Sequence, residues 1–99
     1  MIRLADIAHA RAGDKGDTSI IMVAPFNSED FRLLGEALSR DRLALHYGTD
    51  IRNVEVLALP KLLAYSVVLR SQLGGGVTRS LRVDPHGKTL ASYLLTLTI

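Results

Sequence analysis

The 99-residue chain is long enough for one compact domain and too short for two, so residues 1–99 are expected to form a single unit. Because 47% of the residues are hydrophobic and 22% are charged, extensive disorder is excluded, and the lack of cysteine excludes disulfides, thiolate metal sites and thiol nucleophiles. No apolar run is long enough to span a membrane and the first residues do not form a signal peptide, so we expect a cytoplasmic protein with no membrane partner.

The net charge of +2 is unevenly distributed along the chain. Residues 61–99 carry five basic side chains and one acidic side chain, whereas residues 1–60 carry seven basic and nine acidic side chains. A nucleic-acid-binding surface normally combines a dense basic stripe with stacking aromatic residues, and only 5% of this chain is aromatic. We therefore expect no nucleic-acid partner.

The first part of the chain predicts a β-hairpin. Residues 1–13 fit a half-buried strand, and residues 13–17 (Gly-Asp-Lys-Gly-Asp) are typical of a turn. Residues 18–24 are β-branched and apolar, which predicts a second strand buried on both faces.

A helix is predicted after this hairpin. Asn27 and Ser28 are suitable N-cap residues, and the acidic residues 29–30 suit a first helical turn because the helix dipole favours negative charge there. The apolar spacing continues to Leu38, Ser39 offers a second cap, and Gly48 suits a C-terminal stop. We therefore expect one helical region that is broken near Ser39.

The remaining residues predict a strand, a helix and a second hairpin. Residues 53–59 fit a strand ended by Pro60, and the apolar residues 61–73 are assigned to a helix on the basis of length. Residues 78–83 and 88–99 are expected to form strands around a turn at 84–87, although residues 90–93 also fit a helical turn.

The order β-β-α-β-α-β-β predicts an α+β fold, a ferredoxin-like two-layer sandwich with two helices on one face of a mainly antiparallel sheet. Such a sheet leaves its other face uncovered, and a small domain commonly hides that face by dimerising or by docking on a partner.

The densest cluster of polar residues lies at the first predicted turn. His9 and Arg11 are two residues apart and share one face of a strand, while Lys15 adds a second cation beside the glycines. This set suits a small anion, and Asp14 or Asp17 is placed to orient His9 as an acid–base group. The alternative is an ordinary charged hairpin tip.

A second glycine-rich segment comprises residues 74–80. Its three successive glycines exceed the single residue that a helix C-cap needs, and Thr78, Arg79 and Ser80 follow with side chains that bind anions. The alternative is a flexible connection, and the segment is neither a P-loop nor a dinucleotide-binding motif.

The other polar residues give weaker signals. His46 is expected to be a capping or packing residue, and His86 an exposed turn residue. The three histidines lack metal-ligand spacing, so no metal site is predicted, and no serine has a base adjacent in sequence.

Residues 9–18, with residues 73–76 and 80–82, resemble the C-terminal ferredoxin-fold domain of the acyclic terpene utilisation protein A (AtuA) family. The similarity also includes residues 46–48, 59–60 and 87–90, and it covers nearly the whole chain. In long family members this domain follows a larger N-terminal domain, so the sequence looks like a stand-alone homologue of that tail. One departure is Ser66-Val67, where the family pattern has an asparagine followed by an aromatic residue.

The resemblance implies a small accessory or ligand-binding subunit in the catabolism of terpenoid acids and their coenzyme A thioesters, an enzyme component rather than a complete enzyme. No cofactor is identified, and a coenzyme A thioester is a possible ligand. Its expected partners are an anionic small molecule and either further copies of itself or a separately encoded AtuA-like N-terminal-domain protein; the alternative function is a purely structural interaction module for such a protein. The expected catalytic residues are His9 and Asp14, and the expected ligand-binding residues are Arg11, Lys15, Gly16, Asp17, Thr18, Gly74, Gly75, Gly76, Arg79 and Ser80.

Overall fold

The computed structural model describes residues 2–15, 18–70 and 88–99. Within these ranges the chain forms four strands and three α-helices, connected in part by short 3-10 turns. In chain order they are β1 (Ala8–Lys15), β2 (Thr18–Pro25), α1 (Phe31–Ala37), α2 (Arg40–Tyr47), β3 (Val54–Leu59), β4 (Ala64–Leu69) and α3 (Lys88–Leu94).

The strands form one antiparallel sheet in the order β1-β2-β4-β3. β1 and β3 are therefore the edge strands among the described elements, and β4 lies in the interior between β2 and β3. The hairpin register pairs Lys15 with Thr18 and His9 with Ala24. The predicted first hairpin and the strand ended by Pro60 are both confirmed.

The helices cover one face of this sheet. Alternate residues of β2 and β4, including Ile21, Val23 and Val67, are fully buried in the core cluster. Residues from all three helices join the same cluster, among them Leu34, Leu43 and Leu94. The predicted α+β ferredoxin-like class with helices on one face is thus confirmed.

The break in the helical region also lies where the sequence predicts it. The Ser39 hydroxyl accepts a hydrogen bond from the Arg42 amide at 3.3 Å, which caps α2. Gly48 ends α2 in the left-handed region at φ 66°, a conformation that glycine adopts at no steric cost.

The length of the apolar segment 61–73 predicts a helix, and that prediction is wrong for the described residues. Lys61 belongs to a 3-10 turn, and residues 64–69 form β4. A strand with neighbours on both sides satisfies its backbone groups throughout, and its side chains are apolar on the core face and half-buried on the other. This near-continuous apolar character hides the two-residue period that identifies an edge strand.

Three further expectations are corrected. β1 begins at Ala8, after a 3-10 turn at Leu4–Asp6, rather than near residue 1. β2 is not buried on both faces, because Ile20 and Met22 are 38% and 37% exposed on the side away from the helices. Residues 88–94 form α3 rather than a strand, as the helical alternative for residues 90–93 allowed. The predicted strand 78–83 and the turn 84–87 lie outside the described residues.

Thus the described elements run β-β-α-α-β-β-α rather than in the predicted order.

Candidate functional site

The alternation of β1 distributes its side chains between the two faces of the sheet. Ala10 and Ala12 pair with the buried residues Val23 and Ile21, so they share the face that the helices cover. Arg11 pairs with Met22 and therefore belongs to the uncovered face, where it is exposed. Arg11 and these two alanines therefore lie on opposite faces of the edge strand β1.

A cleft of about 350 Å³ lies along this edge, between β1 and α3. Arg11 and Ser92 carry the polar side chains among its described lining residues, and the others are alanine and leucine. Small side chains create the space, because three of the six lining residues that the structure describes are alanines. The lining residues are Ala10, Arg11, Ala12, Ala91, Ser92 and Leu95, and we call this site the β1 cleft.

The Arg11 side chain has no hydrogen bond or ion pair with any other residue in the described ranges. The two ion pairs found there are Asp50–Arg52 at 2.9 Å and Glu55–Arg70 at 2.8 Å, both elsewhere in the fold. Arg70 holds the pKa of Glu55 below its usual value through a side-chain hydrogen bond. An arginine with no such partner retains its donors for an incoming anion.

The His9 side chain lies outside the β1 cleft. Its ring stacks on Phe26, with ring centroids 5.6 Å apart and planes at 29°. His9 and Asp14 are five residues apart in β1, and strand geometry places their Cα atoms about 16 Å apart. That separation exceeds what a direct hydrogen bond between two residues can span.

Other members of the predicted binding set are only partly described. Thr18 is half-buried at the start of β2, opposite Lys15 in the register. Asp14 and Lys15 are placed by their backbone in β1. Gly16, Asp17, Gly74, Gly75, Gly76, Arg79 and Ser80 lie outside the described residues, as does His86, so the predicted meeting of the two glycine-rich segments stays a prediction.

His46 has a packing role, as the sequence predicts. Its ring stacks on Tyr93 with centroids 4.3 Å apart, and its Nε2 lies 2.8 Å from the Tyr93 carbonyl oxygen. Nε2 is also 3.2 Å from the Thr96 hydroxyl. These contacts join α2 to α3 and to the residues that follow it.

The uncovered sheet face carries an aliphatic patch on β2, β4 and β3, beside Arg11 of β1. Its central residues are Ile20 and Met22 of β2 and the half-buried Val68 of β4, and Leu57 of β3 is 62% exposed. Ser66 lies on this face as well, opposite Met22 on one side and Leu57 on the other. The departure from the family pattern at Ser66 therefore lies in a strand of the open face rather than in a helix.

Sequence reasoning identified Arg11 and missed the rest of the cleft. The sequence predicts a strand over residues 88–99 with a helical turn at 90–93 as the alternative, and the helical conformation of α3 places Ala91 and Ser92 against β1. The three alanines among the lining residues were the available signal, because small residues in facing elements permit a cleft.

Two absences hold within the described ranges. No group of three or more histidine, aspartate and glutamate side chains there is arranged to hold a metal ion. None of the helices that the structure describes has the length and apolar character needed to cross a membrane.

The fold defines the class of the protein as an α+β ferredoxin-like domain, with a four-stranded antiparallel sheet covered on one side by helices. The chain matches the family model of the AtuA ferredoxin-like domain over residues 2–99, and it belongs to that family. No curated protein and no solved structure matches the chain.

Proposed function

We propose that this AtuA ferredoxin-like domain is a ligand-binding accessory module that receives an aliphatic carboxylate in the β1 cleft. The observation that carries the proposal is that Arg11, whose side chain has no partner among the described residues, belongs to the lining of a cleft whose other described side chains are alanine, leucine and serine. The carboxylate contacts Arg11, and the hydrocarbon chain lies against the alanines and Leu95.

Arg11 is suited to a carboxylate for geometric reasons. A guanidinium presents a planar fork of N–H donors that matches the two carboxylate oxygens, and such charge-assisted pairs are stronger than neutral hydrogen bonds. The Ser92 hydroxyl supplies a further neutral donor in the same cleft. Together they favour an anion over the corresponding alcohol.

The volume and lining of the cleft support a small ligand. Its volume of about 350 Å³ lies at the lower end of the range for small-molecule sites, which are mostly apolar with a few polar groups. A branched aliphatic acid combines the required charge with hydrocarbon that alanine and leucine side chains can cover.

The wider setting of the proposal comes from the family resemblance, which suggests the catabolism of terpenoid acids through coenzyme A thioesters. A free branched carboxylate matches one arginine, the cation among the described lining residues, better than the several phosphates of coenzyme A do. We assign no proton transfer to His9 and Asp14, because the strand separates them.

Isothermal titration calorimetry tests the proposal with isovalerate and citronellate as probes. We expect binding to the wild type and at least a tenfold loss of affinity for Arg11→Ala, since a charged hydrogen bond contributes about 1.5–3 kcal/mol. Arg11→Lys keeps the charge but not the fork and should recover only part of the affinity. Ser92→Ala should lose less than Arg11→Ala.

Arg32→Ala is the matched control, because Arg32 is an exposed arginine of α1 whose removal changes the net charge equally. We expect it to bind as the wild type does, and we expect citronellol, which lacks the carboxylate, not to bind. Equal affinities for Arg11→Ala and Arg32→Ala would show that the β1 cleft is not the site.

A further inference from the structure

Among the residues that the structure describes, the outer edge of β3 is hydrogen-bonded at its start and unpaired further along. The Val54 carbonyl oxygen accepts a hydrogen bond from Arg40 Nε at 2.8 Å, and the Val54 amide donates to the Ile51 carbonyl oxygen. The same arginine also binds the Ile51 carbonyl oxygen at 3.0 Å through Nη2. Val54 therefore has no backbone group available for another strand.

The next outward-facing residues of β3 are Val56 and Ala58. Backbone groups alternate in direction along a strand, and the bond from the Arg70 amide to the Asn53 carbonyl oxygen fixes which residues face β4. The N–H and C=O groups of Val56 and Ala58 then point away from β4, and none of the hydrogen bonds found in the described ranges uses them. Pro60 ends the opening, because proline has no N–H to satisfy.

We propose that a second copy of this chain pairs with this edge, β3 to β3, in antiparallel orientation. Val56 of each copy lies opposite Ala58 of the other, so the two copies exchange hydrogen bonds at all the open groups. The resulting two-fold contact joins the two four-stranded sheets into one continuous sheet. Arg40 and Pro60 fix the register, because they close the edge on either side of the opening.

The side chains of β3 fit this self-pairing. In this register Leu57, which is 62% exposed, lies directly opposite Leu57 of the second copy as a non-hydrogen-bonded pair, where side chains approach most closely. Leu62, 69% exposed just beyond the end of β3, adds apolar surface at the same edge.

Charge complementarity also favours an antiparallel copy of the same chain. Glu55 lies near the start of β3 and Lys61 just after its end. Antiparallel pairing brings the start of each strand to the end of the other, so each Glu55, which is paired with Arg70 of its own chain, also approaches Lys61 of the second copy. A parallel arrangement would instead place like charges together and would not close on itself.

The experiment compares oligomeric states by sedimentation equilibrium of the full chain at micromolar concentrations. We expect the wild type at twice the 10.8 kDa mass of one chain. Leu57→Lys places two ammonium groups opposite each other, and we expect at least a tenfold rise in the dimer dissociation constant. Leu45→Lys is the matched control, because Leu45 is 86% exposed on α2, and it should stay dimeric.

Ala58→Pro provides a second test that leaves side-chain charge unchanged. Proline is tolerated in an edge strand where the lost N–H faces outward, so we expect a folded monomer by circular dichroism and sedimentation. Amide hydrogen exchange should show protection of Val56 and Ala58 in the wild type and its loss in Leu57→Lys.

A monomeric wild type overturns the proposal, as does a dimer that both variants retain. Association only with a separately encoded larger subunit, with no self-association, overturns it too. β3 and β1 are opposite edges of the sheet. Loss of dimerisation in Leu57→Lys with carboxylate binding intact therefore separates this proposal from the one made for Arg11.

Discussion

Two tyrosine side chains connect elements of this domain through buried or partly buried hydrogen bonds. The hydroxyl of Tyr47, fully buried in α2, donates to the Leu90 carbonyl oxygen in α3 at 2.6 Å. The hydroxyl of Tyr65, in β4, donates to the Phe31 carbonyl oxygen at 2.8 Å, and the two rings stack with centroids 4.6 Å apart. Each bond satisfies a polar atom where water is scarce, so its removal leaves a carbonyl oxygen short of a donor.

Tyr47→Phe should lower the free energy of unfolding by about 1 kcal/mol at neutral pH, because the hydrogen bond to Leu90 is lost. A pH effect adds to this, since burial, and to a lesser extent Tyr93, raises the pKa of Tyr47 above its usual 10.0. The unfolded chain then releases the Tyr47 proton first, and the wild type loses stability as the pH rises above 10.0.

Urea unfolding from neutral pH to pH 11 measures both effects. The difference in stability between Tyr47→Phe and the wild type should shrink as the pH rises, because phenylalanine has no proton to lose. A constant difference across this range would contradict the assigned burial of the Tyr47 hydroxyl.

Gly35→Ala should destabilise the fold despite the better helix propensity of alanine. A Cβ atom at Gly35 would lie 2.9 Å from Cζ of Tyr65 and still closer to its hydroxyl oxygen. The stacked and hydrogen-bonded ring cannot move freely, so we expect a net loss of about 1–2 kcal/mol, measured by thermal unfolding. In a Tyr65→Phe background the penalty should be smaller; an unchanged penalty would place the clash elsewhere.

At the scale of elements, the sequence correctly predicts the strands, turns and helix ends that depend on neighbouring residues in the chain. The first hairpin, the cap at Ser39, the stop at Gly48 and the strand before Pro60 each depend on residues next to one another in the chain. The sequence predicts a helix for the residues of β4 and a strand for those of α3, because the conformation of both segments depends on contacts with residues distant in the chain. An interior strand loses the polar alternation that marks an edge strand, and α3 becomes helical where it packs against β1.

The same limit explains how much of the candidate site was predictable. Arg11 is positively charged in any structural context, so its residue type alone is enough to predict it as an anion-binding residue. Ser92 and the cleft alanines gain a role only from the contact between β1 and α3, which no local pattern encodes. His9 and Asp14 are only five residues apart in the sequence. An extended strand places successive residues about 3.3 Å apart along its axis, so the two residues are far from each other.

The turn between β3 and β4 contains a strained residue that a substitution can relieve. Leu63 adopts φ 49° and ψ 49°, the left-handed region that a leucine side chain disfavours. Leu63→Asn should raise the free energy of unfolding by about 0.5–1 kcal/mol, because asparagine tolerates this conformation. Leu62→Asn at the neighbouring exposed position is the control and should give no gain in a urea titration.

At the scale of the whole molecule, the two ends of the chain close on each other. Arg3 and Thr98 form an antiparallel bridge, and the Leu4 amide donates to the Leu97 carbonyl oxygen at 2.7 Å. The Ile99 amide donates to the Ile2 carbonyl oxygen at 2.8 Å. Leu97 is 8% exposed, so these last residues also contribute to the core.

Removing residues 96–99 should cost about 2–4 kcal/mol of stability, because the truncation exposes the site of Leu97 and leaves the Leu4 amide without its acceptor. Differential scanning calorimetry of the truncated chain measures the loss. Thr98→Ala removes only an exposed side chain and should melt within a few degrees of the wild type. Equal melting temperatures for the truncated and full chains would show that the contact between the two ends does not contribute to the stability of the fold.

This closure also determines how the domain responds to mechanical force. Residues 2 and 99 lie at the same end of this antiparallel contact. A load applied between them therefore pulls the two segments apart at that end, one hydrogen bond after another. The Ile99–Ile2 bond breaks first and the Leu4–Leu97 bond follows, so the bonds carry the load in succession rather than together. The domain should therefore yield at low force when pulled by its ends, and resist more when pulled through β2 and β4, whose paired backbones share the load.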